Sequence, residues 1–169
     1  DQMRIVKQRL LEMIPDLIVF LDVDDLEEID KLEEYIECTS TILVYCSRGY
    51  FTSKNCMREL VASVTMQKPL IALTDPERSK GGLSLEGIHT QLHAADLLCE
   101  KWGFRLEEHH DEQDHGEWHA GYIWPGGGLL AHELFMSEPI EWNRIGHFQD
   151  VTMRLIAERL LPDAAGATY

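Results

Sequence analysis

The sequence lacks the features that tie a chain to a bilayer, a nucleic acid or a disulfide scaffold. Its longest apolar runs, Leu17-Ile18-Val19-Phe20-Leu21 and Thr41-Ile42-Leu43-Val44-Tyr45-Cys46, fall far short of the ~20 residues that span a hydrocarbon core. Basic residues are scarce, 15 against 30 acidic ones, so the net charge is −15 and the isoelectric point is near 4.8. Such a surface repels phosphate backbones and anionic headgroups, which argues against nucleic-acid and membrane-surface partners. The four cysteines, Cys38, Cys46, Cys56 and Cys99, form no C-x-x-C pair and read as reduced thiols of a cytoplasmic protein. No secretory leader is visible, because Asp1-Gln2-Met3-Arg4 opens directly into a mixed-charge amphipathic pattern. Neither G-x-G-x-x-G, nor G-x-x-x-x-G-K-[ST], nor G-x-S-x-G occurs, so the common phosphate cradles and the nucleophile elbow are missing.

What remains is an ordinary globular composition, 44% hydrophobic and 27% charged over 169 residues, which fits one domain. Met3, Val6, Leu10 and Met13 recur at helical spacing and predict a helix over about 2–14. Continuous apolar runs predict buried strands at 17–21, 41–46 and 69–73. Between them, Asp30 and Glu33 mark the start of a helix over about 30–38. A further helix, capped by Ser53 or Asn55, carries Met57, Leu60, Val61 and Val64 on one face. Ser84 opens a helix running to about Lys101. Periodicity is then lost from Gly103 to Gly128, longer than an ordinary loop, so 103–128 reads as an insertion ending in a Gly126-Gly127-Gly128 hinge. A short helix at 129–136, an edge strand at 139–142 and a last helix at 146–161 with Phe148, Val151 and Leu155 complete the pattern. Alternation of helices with short apolar strands predicts an α/β, three-layer, flavodoxin-like parallel sheet flanked by helices, with ligands at the carboxyl ends of the strands.

Several residues then converge. Phe20-Leu21-Asp22 after a helix, the acidic loop 22–29, Ser40, Leu43-Val44, Ser47, Tyr50, Ser53 and Asn55-Cys56-Met57-Arg58-Glu59-Leu60 together resemble the Toll/interleukin receptor (TIR) domain over about residues 1–75. Another flavodoxin-like or receiver-like module of the same topology is the alternative. The resemblance implies a TIR-like domain at 1–162, with a C-terminal tail at 163–169. It also departs from the family pattern twice. The strand that precedes the first helix of a TIR domain is absent from this chain, as in a trimmed fragment, and Asn55 stands where many TIR domains carry tryptophan.

The function implied is an intracellular signalling module acting by association with TIR domains, its own copies or others, through the acidic loop and the exposed helix faces. The alternative is an NAD glycohydrolase releasing nicotinamide, in which NAD is substrate and no cofactor is called for. In that case Glu59 matches the position of the family's catalytic glutamate. Cleaving a nicotinamide ribosyl bond builds oxocarbenium character that a fixed carboxylate stabilises. A glutamate in the early turns of a helix is equally accounted for by the helix dipole. Asp22, Asp24, Asp25, Ser47 and Asn55 are the substrate-binding candidates, although acids on a loop are commonly just solvated.

The insertion gathers His109, His110, Asp111, Asp114, His115 and His119, but His115-Gly116-Glu117-Trp118-His119 is not the H-E-x-x-H zinc motif, so no metal site is assigned. His89 and His93 lie i, i+4 on a predicted helix and read as an exposed pair. Trp118, Tyr122 and Trp124 either fold the insertion back on the domain or face a partner. Two segments hold most of the charge: 22–37 has nine acids and one lysine, a net of −8, and 105–119 has six acids and one arginine, a net of −5. Assembly through either is expected to be head-to-tail, onto a basic surface, and weakened by salt. Structurally, Val44 and Ile71 are expected to be buried in neighbouring parallel strands with Glu59 near their carboxyl edge. Truncation of Leu43 or Ile71 to alanine is then expected to cost roughly 2–5 kcal/mol.

Overall fold

The computed structural model describes residues 2–20, 31–106 and 123–161. The acidic loop 22–29, the histidines at 109, 110, 115 and 119, Trp118, Tyr122 and the tail lie outside the described residues.

Three strands form one parallel sheet: β1 (Ile42–Cys46), β2 (Leu70–Thr74) and β3 (Ile140–Glu141), in the order β1-β2-β3. Val44 stands opposite Ala72, and Leu73 opposite Ile140. Around the sheet lie α1 (Gln2–Met13), α2 (Leu32–Cys38), α3 (Arg48–Thr52), α4 (Lys54–Thr65), α5 (Leu85–Ala95), α6 (Gly127–Leu134) and α7 (Gly146–Leu160).

The period-2 alternation of a strand decides which layer each residue joins. Ile42, Val44, Cys46 and Ala72 point to one side, where Leu32 and Ile36 of α2, Phe51 of α3, Met57, Leu60 and Val61 of α4, and residues of α5 and α6 close over them. Ile71, Leu73, Ile140 and Trp142 point to the other, against Val6 and Leu10 of α1 and Met153 and Ile156 of α7. The result is the expected α/β/α arrangement, with Val44 and Ile71 both buried in adjacent parallel strands. Leu43 is only half-buried against the second core, so it carries less of the core than Ile71.

Side-chain bonds fix the helices to each other. Arg58 of α4 makes a forked pair to Glu33 of α2, with Nε 2.5 Å and Nη2 2.6 Å from the two carboxylate oxygens. On the opposite side Arg9 of α1 donates to Gln149 (3.0 Å) and pairs with Asp150 of α7, and Thr152 of α7 donates to the carbonyl of Glu141 at 2.8 Å.

Four expectations need correction. Residues 17–20 form no strand. Leu17 and Val19 join the α1/α7 core, Phe20 stacks on Tyr35 of α2 at 4.3 Å, and Ile18 is 94% exposed. The run has strand-like burial, but a strand exists only as part of a hydrogen-bonded ladder, and no ladder pairs with it among the described residues. The helix from Ser84 stops at Ala95 rather than Lys101; the Leu97-Leu98 pair that lengthens the apolar pattern does not reach the core, Leu97 being 88% exposed. The stretch before α4, to which the sequence pattern assigns no element, contains α3.

The glycine run is a contact rather than a hinge. Gly127 lies in the first turn of α6 so close to α5 that a Cβ there would sit 2.1 Å from the carbonyl oxygen of Leu92. Its N–H donates to Asp96 Oδ1 at 2.6 Å, and the same oxygen accepts the indole N–H of Trp124 at 2.7 Å. Trp124 is buried beside Phe104, with ring centroids 5.3 Å apart, and its backbone N–H donates to the carbonyl of Arg105 at 2.6 Å. Both ends of the insertion are thereby fastened to the domain, which settles the role of Trp124 as folding back.

Candidate functional site

The candidate residues gather at the carboxyl ends of β1 and β2 and in the turns that follow them. β1 ends at Cys46, and Ser47 turns the chain into α3 by accepting the Tyr50 N–H on its hydroxyl (3.3 Å). Ser53 does the same for α4, accepting from Cys56 N–H at 3.4 Å, so of the two expected caps Ser53 is the one used. These Ser-x-x spacings are N-cap chemistry. Their product is a pair of helices, one short and one long, that bring Tyr50 and Glu59 together.

Glu59 is half-buried in the second turn of α4, and Tyr50 donates its hydroxyl to Glu59 Oε2 at 3.0 Å. The phenol is pushed well above its ordinary pKa, first by burial and then by the charge of Glu59, and therefore remains a donor across the physiological range. Cys56 on α4 and Cys46 at the end of β1 raise it further. Burial drives the Cys46 thiol up to about 12, which makes it a core thiol rather than a nucleophile. Of the remaining candidates, Ser47 is committed to its cap and Asn55 is exposed in the first turn of α4. Asp22, Asp24 and Asp25 lie outside the described residues.

A second polar constellation at the same edge escaped the sequence reading. Asp75, immediately after β2, is 1% exposed and is held by donors from both neighbouring strands. The hydroxyl of Tyr45 on β1 donates to its Oδ2, and Arg144, just beyond β3, gives Nε and Nη2 to the same oxygen at 2.9 and 2.5 Å. The Glu77 N–H donates to Oδ1 at 2.9 Å. Burial alone would raise the Asp75 carboxyl, but the Arg144 and Tyr45 bonds outweigh it and hold it below the usual range. Burial and the bond to Asp75 raise the Tyr45 phenol. The one signal in the sequence was an acid two residues after Leu73, hence on the side of the sheet where Tyr45 lies; its partner Arg144 is 69 positions away.

His89 and His93 are exposed on α5 as expected. His89 lies beside Phe135 (5.5 Å between centroids) and His93 Nδ1 is 3.7 Å from Asp96 Oδ2. Among the described residues no group of three or more His, Cys, Asp or Glu side chains is arranged to hold a metal. None of the four cysteines is joined in a disulfide, and no helix among the described residues is long and apolar enough to cross a membrane. A scan of protein-family models finds no match to the chain, and comparisons with curated proteins and with solved structures find no similar protein.

Proposed function

We propose that the chain is a TIR-type signalling module that acts by associating with TIR domains, in the first instance with a second copy of itself. The observation that carries this reading is the outward face of α7. Ile145, Phe148, Val151 and Leu155 recur at helical spacing, and all are 43–59% exposed. The residues of α7 that enter the core are a different set, Gln149, Thr152, Met153 and Ile156. An apolar stripe left over after the core is satisfied is an interaction surface.

Charge favours a like partner on this face. Asp150 and Glu158 are balanced by Arg154 and Arg159, so α7 is neutral in a chain of net charge −15, and two copies can meet there without the repulsion that the acidic segments would impose. Ile5 and Met13, also exposed, flank Arg9 on α1, which is joined to α7 through Asp150. The test is sedimentation velocity of the protein and of Val151→Arg over a range of concentrations and salt. Concentration-dependent association that Val151→Arg abolishes and salt leaves intact supports the α7 contact. Association that survives the substitution, or that salt weakens, returns the contact to the acidic segments.

A second reading, NAD glycohydrolase, is favoured by the Tyr50-held Glu59 carboxylate beside the end of β1. It requires nicotinamide release that Glu59→Gln abolishes; turnover that survives that substitution refutes Glu59 as the essential acid.

A further inference from the structure

We infer that Tyr50 is the positioning residue of the Glu59 carboxylate, fixing the orientation in which it meets a cationic ribosyl centre. The inference rests on the NAD-cleaving reading above.

The argument begins with rigidity. Glutamate has three side-chain torsions, and a carboxylate that must stabilise charge developing at one carbon has to be held before the reaction starts. Tyr50 is suited to hold it because the phenol itself is fixed from several directions. Its backbone N–H is capped by Ser47 Oγ, and its carbonyl accepts from Ser53 N–H at 3.1 Å. Its ring stands edge-on to the buried Phe51 at 5.4 Å. The start of α3 is anchored in turn, since Arg48 N–H donates to the Gly81 carbonyl at 3.0 Å and Ser47 bridges to Gly82. Gly82 is required by the turn after β2 itself, a Cβ there being 2.2 Å from the Asp75 carbonyl oxygen. The turn after β1 and the turn after β2 therefore set the place of one hydroxyl proton, and that proton sets one oxygen of Glu59.

In the reaction, the bond between C1′ of the ribose and the nicotinamide nitrogen breaks, and the electron pair leaves with the now neutral nicotinamide. Positive charge develops at C1′, where water adds and releases a proton, giving ADP-ribose. Glu59 stays ionised throughout and acts by charge. Tyr50 touches no substrate atom; it acts through Glu59.

Tyr50→Phe keeps the ring and its packing and removes only the hydroxyl. Loss of a bond from a neutral donor to a charged acceptor used in the transition state is expected to lower kcat about tenfold, with KM unchanged. Glu59→Gln supplies a readout independent of turnover. With tyrosine labelled at 13Cζ, the Tyr50 resonance is expected to titrate at lower pH in Glu59→Gln than in the wild type, because the charge that opposes its ionisation is gone. Wild-type kcat in a folded Tyr50→Phe protein overturns the inference, as does a Tyr50 titration indifferent to Glu59→Gln. Should the wild type release no nicotinamide, the NAD reading fails by itself, and the resonance decides whether Tyr50 holds Glu59. If Tyr50→Phe does not fold, the same resonance decides.

Discussion

Two adjacent glycines in α6 are expected to respond to the same substitution with opposite sign. A methyl at Gly127 would lie 2.1 Å from the Leu92 carbonyl oxygen, 2.5 Å from its carbonyl carbon and 3.0 Å from the His93 nitrogen. All three atoms are backbone of α5, so no side chain can rotate aside and the two helices must separate. They cannot do so freely, because Asp96 holds the Gly127 N–H and the Trp124 indole. Overpacking of this kind costs typically 1–3 kcal/mol, and a contact wholly with backbone belongs at the upper end. Alanine recovers at most about 1 kcal/mol of helix propensity, so Gly127→Ala is expected to lose about 2 kcal/mol and to melt roughly 4–8 °C lower. At Gly128 the methyl would lie 3.7 Å from His93 Cε1, an ordinary contact, and only the propensity gain of about 0.5–1 kcal/mol remains. Urea titration of the two variants measures the difference at unchanged slope. A neutral or stabilised Gly127→Ala protein would refute the close crossing of α5 and α6 and restore the hinge.

Asp75→Asn is expected to cost roughly 3 kcal/mol at neutral pH, since it strips a buried acceptor from Arg144 and Tyr45. The folded-state pKa of Asp75 is lowered, so its contribution is present above the ordinary value of 3.8 and is lost as pH falls through the lowered one. Denaturation at pH 6 and at pH 2.5 should show the gap between wild type and variant closing at the acid end, and a gap independent of pH contradicts the assignment. Ile71→Ala is expected to lose about 3–4 kcal/mol and its half-buried neighbour in register, Leu43→Ala, about 1–2 kcal/mol; equal losses in denaturant titration would mean that Leu43 is as deeply buried in the second core as Ile71.

Much of the sheet was legible in the sequence because β1 and β2 are apolar on both sides and bounded by turns. Leu17 to Leu21 shows the limit of that signal. Its composition reports where side chains go, and Leu17, Val19 and Phe20 do pack, but composition says nothing about whether a neighbour offers a ladder. α7 shows another limit: the periodic set Phe148, Val151 and Leu155 identifies the helix correctly while the core takes Thr152, Met153 and Ile156, one position round. Hydrophobic period gives the helix but not which of two apolar stripes faces inward when the buried face includes glutamine and threonine. The glycine run failed for a different reason. Gly126-Gly127-Gly128 reads as freedom when taken locally, and only the approach of Leu92, 35 positions earlier, turns Gly127 into a contact. At the site, a motif points to Glu59, whereas the place of Asp75 after β2 is a weak signal because its meaning lies in Tyr45 and Arg144, brought together only by strand order.

The two carboxylates near the carboxyl ends of the strands can be assigned different duties on physical grounds. Asp75 is buried, accepts four hydrogen bonds from three residues and binds together the ends of the three described strands; its oxygens are spent, and a group so held contributes stability rather than chemistry. Glu59 is half-buried on a helix, and its described hydroxyl donor comes from the adjacent turn rather than from the sheet. On the proposed NAD-cleaving reading, a carboxylate oriented at half-burial is suited to meet a ligand. Loss of Asp75 should therefore be felt first in unfolding, and loss of Glu59 first in whatever the edge binds.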